Sequence, residues 1–204
     1  MIFLRKEYVK PLWAGALLYL IYTYVIYCFN IHFNSYFIIY CLILGLSFYL
    51  FIYFIYAQTK ISPKDALNKY HKLTAIYFIS IAVLFYFLWL SDIVPAMLHH
   101  EIPNSLKEGG LVSNPVHVLD LSIILPGMFI TGILVLRGNA LGIIFTPILL
   151  TFFVLMDLTI CLLTIVMINR QIESDYTVAI IMICLAIFST FLLLKHIPIR
   201  KQQL

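Results

Sequence analysis

Six long apolar stretches occupy nearly all of this chain, and they limit its fold more than any other feature. Hydrophobic residues make up 63% of the 204 positions and charged residues only 11%. Because so few polar side chains cannot cover a water-facing surface, the expected solvent is the hydrocarbon of a lipid bilayer. Each stretch is near the roughly 20 residues that a helix needs to cross about 30 Å. We therefore predict an all-α, polytopic membrane helix bundle.

The six predicted transmembrane helices form a single membrane domain that covers residues 1–204. Their predicted ranges are 12–29, 36–57, 73–89, 116–136, 141–168 and 176–194. Helix punctuation supports two of these boundaries. Asn114 and Pro115 suit a cap followed by proline at the first helical position, and Gly138 and Asn139 suit a C-terminal glycine followed by a new cap. The longest connection, residues 91–114, is expected to contain one or two short helices.

Positive charges lie almost entirely on one side of the predicted helices. Eleven of the thirteen lysines and arginines fall in the two termini or in the connections around residues 58–72 and 137–140, and only Lys107 and Arg170 fall on the other side. Short loops rich in Lys and Arg stay in the cytoplasm, so both termini are expected to be cytoplasmic in a plasma membrane. Anionic lipid headgroups account for the net charge of +4, and no nucleic-acid partner is expected.

The cysteines argue against one class of membrane enzyme. The four cysteines are scattered singly through different predicted helices, and no CxxC pair is present. A quinone-linked thiol oxidase is therefore not expected.

Two aspartates lie inside predicted helices, and they are the first candidates for a functional role. An Asp at the centre of a membrane helix costs roughly 2.5 to 3.5 kcal/mol on the insertion scale, so each is expected to face protein or water and to have a partner. Asp120 follows Pro115 by about 7 Å of helical rise and so lies near the outer boundary. Asp157 lies deeper, on a face with Thr146, Cys161 and Thr164 that should turn toward the bundle. We regard both as candidate proton- or ion-responsive groups.

A second group of ionisable residues is predicted at the outer surface. His117 precedes Asp120 by three residues and shares its helix face, Asp92 is expected to end the third helix, and His99, His100 and Glu101 follow in the connection. His99, His100, His117 and Asp120 are the right ligand types for a divalent metal such as Zn²⁺, Fe²⁺ or Mn²⁺, although no strict metal motif is present. Without metal the same groups can relay protons or simply hydrogen-bond one another. Trp89 is interpreted as an interfacial anchor.

Prolines predict irregularities in two of the helices. Pro126 and Pro147 place a kink or break in the fourth and fifth helices. Six helices that start in the cytoplasm also divide into two halves of opposite orientation, as an inverted-repeat transporter requires, but the two halves share no matching residues.

The passage WLSDIVPAMLHHEIPNSL followed by SNPVHVLDLSIILPGMFITGILVLRGNALG, residues 89–142, carries a resemblance. It resembles small, multi-spanning bacterial inner-membrane proteins that carry no assigned function. The resemblance covers about a quarter of the chain and implies a bacterial inner-membrane location without implying an activity. The serine, aspartate and paired-histidine pattern of the seven-span metal hydrolases is not reproduced.

Three functions remain open from the sequence. The first is binding or transport of a small solute, cation or proton, with Asp120 and Asp157 as the responsive groups. The second is a metal-dependent enzyme at the outer leaflet. The third is a non-catalytic subunit or assembly factor, because six helices with short loops leave little room for a pocket and such chains often work as homo-oligomers or within a larger membrane complex.

Overall fold

The computed structural model describes residues 6–58, 71–172 and 175–196, and within these ranges it contains helices and no strands. The helices are α1 Lys6–Asn30, α2 Phe37–Gln58, α3 His71–Leu98, α4 Asn104–Gly109, α5 Pro115–Leu119, α6 Leu125–Leu136, α7 Ala140–Asn169 and α8 Tyr176–His196, with a π-helical turn at Asp120–Ile124 between α5 and α6. Six segments are long and apolar enough to cross a membrane: α1, α2, α3, the run from α5 through α6, α7 and α8. The predicted all-α membrane fold is confirmed.

Local capping fixes several helix ends. The Asn114 side chain accepts a hydrogen bond from the Val116 N–H at 3.0 Å, and Pro115 fills the first helical position. Asn139 likewise accepts from the Leu141 N–H at 2.9 Å to begin α7. These are the caps that the sequence predicts, because a side-chain oxygen satisfies an N–H that has no partner within the helix.

Asp175 lies just before α8, outside the membrane-spanning segment. Its carboxylate accepts hydrogen bonds of 2.9 Å from both the backbone N–H and the hydroxyl of Thr177. These two bonds favour the charged carboxylate and hold the pKa of Asp175 below its usual value.

The predicted end of the third helix at residue 89 is wrong. Helix α3 continues through Pro95 to Leu98 and ends where His100 takes a positive φ of 55°. There the Glu101 N–H reaches back to the Ala96 carbonyl at 2.8 Å, a closing pattern that usually depends on glycine. No glycine marks this end in the sequence. As a result Asp92 lies inside α3 rather than at its terminus, and the connection that follows holds a single short helix, α4.

Pro126 explains the π-helical turn. The Leu125 N–H bonds to the Asp120 carbonyl, five residues back, and Pro126 has no N–H to offer. The Leu121 carbonyl therefore loses its usual helical donor, and the Tyr86 hydroxyl of α3 donates to it at 3.3 Å. The predicted irregularity is present at Pro126, whereas α7 runs unbroken through Pro147.

The helices pack as a four-helix group with two helices added at its side. Helix α6 packs against α3 and α7, α7 packs against α8, and α1 packs against both α7 and α2. Helices α1, α3 and α7 begin at one end of the bundle, which we call the basic end because Lys10, Lys72, Arg137 and Lys195 lie there. The opposite end, where α4 and residues 99–114 lie, is called the loop end.

Candidate functional site

Asp120 holds three parts of the chain together near the loop end. Its Oδ1 accepts a hydrogen bond of 2.9 Å from the Tyr22 hydroxyl of α1. Its Oδ2 accepts one of 2.9 Å from the Trp89 indole N–H of α3. Both oxygens of the carboxyl group are thus satisfied by neutral donors from two other helices, which is the arrangement that makes a polar group tolerable inside a membrane protein.

His117 packs against the same tryptophan. Its ring lies 4.5 Å from the Trp89 ring, centre to centre, and its side chain is buried. Asp92, one turn farther along α3, is close enough to His117 for an electrostatic interaction and accepts a hydrogen bond of 2.6 Å from the Ser105 hydroxyl of α4. The structure therefore brings Asp120 and His117 to one indole ring, that of Trp89. We call Tyr22, Trp89, His117 and Asp120 the Asp120 cluster.

The remaining loop candidates lie apart from this cluster. His99, His100 and Glu101 are exposed, and the Glu101 carboxylate lies 3.6 Å from the Lys107 ammonium, which is also exposed. Within the described ranges, no three or more His, Cys, Asp or Glu side chains lie together in a group that could hold a metal ion. The candidate ligands His99, His100, His117 and Asp120 are thus not gathered into one site.

Tyr22 and Trp89 were not among the residues singled out from the sequence as functional. Trp89 lies nine residues before the end of α3, and its N–H is directed at Asp120. The sequence does contain one signal for them, because an aspartate inside a membrane helix needs hydrogen-bond donors. A Tyr or Trp within reach satisfies that need without adding a charge.

Asp157 is buried in the bundle, with 7% of its surface exposed. It shares the inward face of α7 with Thr146, Cys161 and Thr164, which are all buried. This is the face that the spacing predicts. Unlike Asp120, it carries a side-chain oxygen, Oδ2, that is buried and has no hydrogen-bond partner in the described part of the chain.

The surroundings of Asp157 are aromatic with a few hydroxyl groups. Tyr77 of α3 is close enough to interact electrostatically with Asp157, and its hydroxyl lies 2.8 Å from the hydroxyl of Ser189 on α8. The Tyr77 ring also contacts Phe188, with 5.1 Å between ring centres. Apolar walls of this kind screen a charge poorly, so they raise the free-energy cost of an unpaired carboxylate.

A second polar group lies between the same two helices, toward the basic end. The Thr74 hydroxyl of α3 lies 2.8 Å from Nε2 of His196 at the end of α8. The His196 ring in turn lies 4.6 Å from the ring of His71, centre to centre. Thr74 is fully buried and His71 nearly so. Helices α3 and α8 therefore meet through side chains at two levels, which closes the group α3, α6, α7 and α8 into a ring.

Two cavities open at the loop end. One, of about 550 Å³, lies between the end of α1 and residues 110–119 and is lined largely by apolar side chains. The other, of about 420 Å³, lies between α3, α4 and α5, and His117 is among its lining residues. Asp157 lines neither cavity.

Comparison of the chain with protein-family models, curated proteins and solved structures gave no match.

Proposed function

We propose that this multi-pass membrane protein binds and releases a proton or a small monovalent cation at Asp157, as part of proton- or cation-coupled transport. The observation that carries the proposal is the buried Oδ2 atom that lacks a partner. A carboxylate held between helices without a donor costs several kcal/mol, and a bound proton or cation removes that cost. Such a site is occupied more readily than one whose oxygens are both bonded.

Asp120 supports the proposal by contrast. Its two oxygens each accept a hydrogen bond, so a proton or cation that binds there displaces existing bonds. We assign Asp120 to holding α1, α3 and the π-helical turn together. Between Asp120 and Asp157, Asp157 is therefore the better candidate for reversible binding.

The charge distribution supports a plasma-membrane location with the basic end in the cytoplasm. Short connections rich in Lys and Arg remain on the cytoplasmic side, and the two cationic residues Lys107 and Arg170 lie at the loop end. In this orientation Asp157 lies about 18 Å from the loop end of α7, by helical rise from Asn169. A site at that depth is separated from both water phases, as alternating access requires.

Labelling by dicyclohexylcarbodiimide tests the proposal, because this apolar reagent attacks protonated carboxyl groups in membrane proteins. We expect Asp157 to be modified in the purified protein in liposomes, with labelling that decreases as the pH is raised, and to be modified more than Asp120. Mass spectrometry of proteolytic fragments identifies the modified residue, and Asp157→Asn serves as the control.

Two additions to this experiment complete it. Na⁺ or K⁺ that slows the labelling at constant pH identifies a cation as a ligand, whereas labelling that responds to pH alone identifies a proton. Labelling that occurs at Asp120 and spares Asp157, or that is insensitive to both pH and cations, would overturn the proposal.

A further inference from the structure

We infer that protons reach Asp157 from the basic end of the bundle, along a line of polar side chains between α3 and α8. This inference rests on the proposed function and adds the side of the membrane from which the site is loaded. The line consists of His71, Thr74 and Tyr77 on α3 and of Ser189 and His196 on α8.

Two contacts along this line are short enough for hydrogen bonds. The Tyr77 and Ser189 hydroxyls lie 2.8 Å apart, and the Thr74 hydroxyl lies 2.8 Å from Nε2 of His196 nearer the basic end. Tyr77 interacts electrostatically with Asp157. Both separations are those of hydrogen bonds, so a proton can be passed within each pair.

Helical spacing places the two pairs on one face of each helix. His71, Thr74 and Tyr77 follow one another at intervals of three residues and so share one face of α3, with about 4.5 Å of rise between neighbours. Ser189 and His196 are seven residues apart, two turns of α8, and share a face in the same way. Ser189 lies about 20 Å from the start of α8 at Tyr176, a depth similar to that of Asp157. Water molecules bridge a gap of one to two helical turns where hydroxyls line it.

Burial distinguishes this line from ordinary surface polarity. Thr74 and Ser189 are completely buried, and His71 is 5% exposed. Buried hydroxyl and imidazole groups that lie together between two membrane-crossing helices are expensive unless they bond to one another or to water.

Few buried polar side chains of α7 lie between Asp157 and the loop end. Between Asp157 and the loop end, the buried polar residues of α7 are Cys161 and Thr164. The Thr164 hydroxyl is already bonded to the Ile160 carbonyl at 2.8 Å, and a thiol is a weak donor. At the loop end itself, the Asp120 cluster ties α1 to α3. The polar side chains near Asp157 therefore lead toward the basic end rather than toward the loop end.

Each proton transfer balances without a co-reactant. An N–H bond of protonated His196 breaks as the proton passes to a bridging water or hydroxyl, and that group releases its own proton onward. Ser189 and Tyr77 each gain one proton and lose one, so both end unchanged. An O–H bond then forms on the Asp157 carboxylate, and water at the basic end reloads the imidazole.

In the described part of the chain, the helices packed near Asp157 present few ionisable groups to it. Helix α6 has no ionisable residue in its sequence. Helix α1 presents Tyr19 and Tyr22, which bond to Thr159 and Asp120. Helix α3 presents Tyr77, and α8 presents Ser189 with His196 two turns away. Lys72 and Lys195, the cations beside the His71 and His196 pair, are exposed.

Vesicles with different pH inside and outside test the inference. The protein is reconstituted, its orientation is determined by protease digestion, and the dicyclohexylcarbodiimide labelling of Asp157 is followed while the pH on one side is changed. We expect labelling to follow the pH at the basic end and to ignore the pH at the loop end. Tyr77→Phe and Ser189→Ala should each abolish that response while labelling at equal pH on both sides persists after long equilibration.

Tyr19→Phe is the matched control. It removes the same hydroxyl group from a tyrosine that also contacts α7, through Thr159 at 2.8 Å, but lies off the line. Its response should equal that of the wild type. Labelling that follows the loop-end pH, or that is unchanged in Tyr77→Phe and Ser189→Ala, overturns the inference and leaves the proposed function standing. Absence of Asp157 labelling under all conditions removes the proposed function itself.

Discussion

Two aspartates of similar chemistry differ here because of their donors. Asp120 has the Tyr22 hydroxyl and the Trp89 indole N–H, one for each oxygen, whereas one oxygen of Asp157 has no partner. The first arrangement stabilises a fixed contact between helices. The second leaves a position that a proton or cation can fill.

At this scale we predict that Trp89→Phe destabilises the protein by about 1 to 3 kcal/mol, because it leaves Oδ2 of Asp120 without its donor. Thermal unfolding in detergent measures the effect. Trp13→Phe is the matched control, since the only other tryptophan is 43% exposed and contacts Phe54 through its ring. Equal losses of stability in the two variants would show that the hydrogen bond to Asp120 contributes nothing.

Helix crossings depend on single glycines. A Cβ atom at Gly15 of α1 would lie 2.5 Å from Thr151 Cβ and 2.6 Å from the Ile148 carbonyl oxygen of α7. Neither atom is the flexible end of a side chain, so the two helices must separate to admit a methyl group. Membrane helices commonly use small residues in this way, because lipid supplies no hydrophobic force that drives them together.

Gly15→Ala is therefore expected to lower the free energy of unfolding by about 1 to 3 kcal/mol, the usual range for an overpacked contact. Gly45→Ala, in α2, provides the comparison because no atom lies within 4 Å of the added Cβ. Chemical unfolding in mixed micelles distinguishes the variants. If Gly45→Ala proves as harmful as Gly15→Ala, helix separation is not the cause.

Element boundaries show where sequence reasoning succeeds and where it stops. The caps at Asn114 and Asn139 could be predicted because capping depends on neighbouring residues only. The end of α3 could not, since His100 takes the left-handed conformation without the glycine that would mark it. The π-helical turn was anticipated only as a proline irregularity, because its carbonyl is satisfied by Tyr86 from a distant helix.

Across the whole molecule, hydropathy predicted six membrane-crossing segments and the inward face of Asp157. It did not predict which helices neighbour one another, and so it could not assign Tyr22 and Trp89 to Asp120 or place Tyr77 and Ser189 near Asp157. Those partners are far apart in sequence and meet through packing between apolar helices. Apolar surfaces of similar composition carry little information about which neighbour they will contact.

Uptake and release of a proton or cation by Asp157 can be followed by infrared difference spectroscopy. In its protonated form, a carboxyl group inside a membrane protein gives a C=O stretching band that is well separated from the amide bands. We predict that this band responds to a change of pH or of Na⁺ and K⁺ in the wild type, and that Asp157→Asn, which keeps the shape of the side chain, abolishes the response. A band that responds identically in Asp157→Asn would show that another group, and not Asp157, takes up the proton or cation.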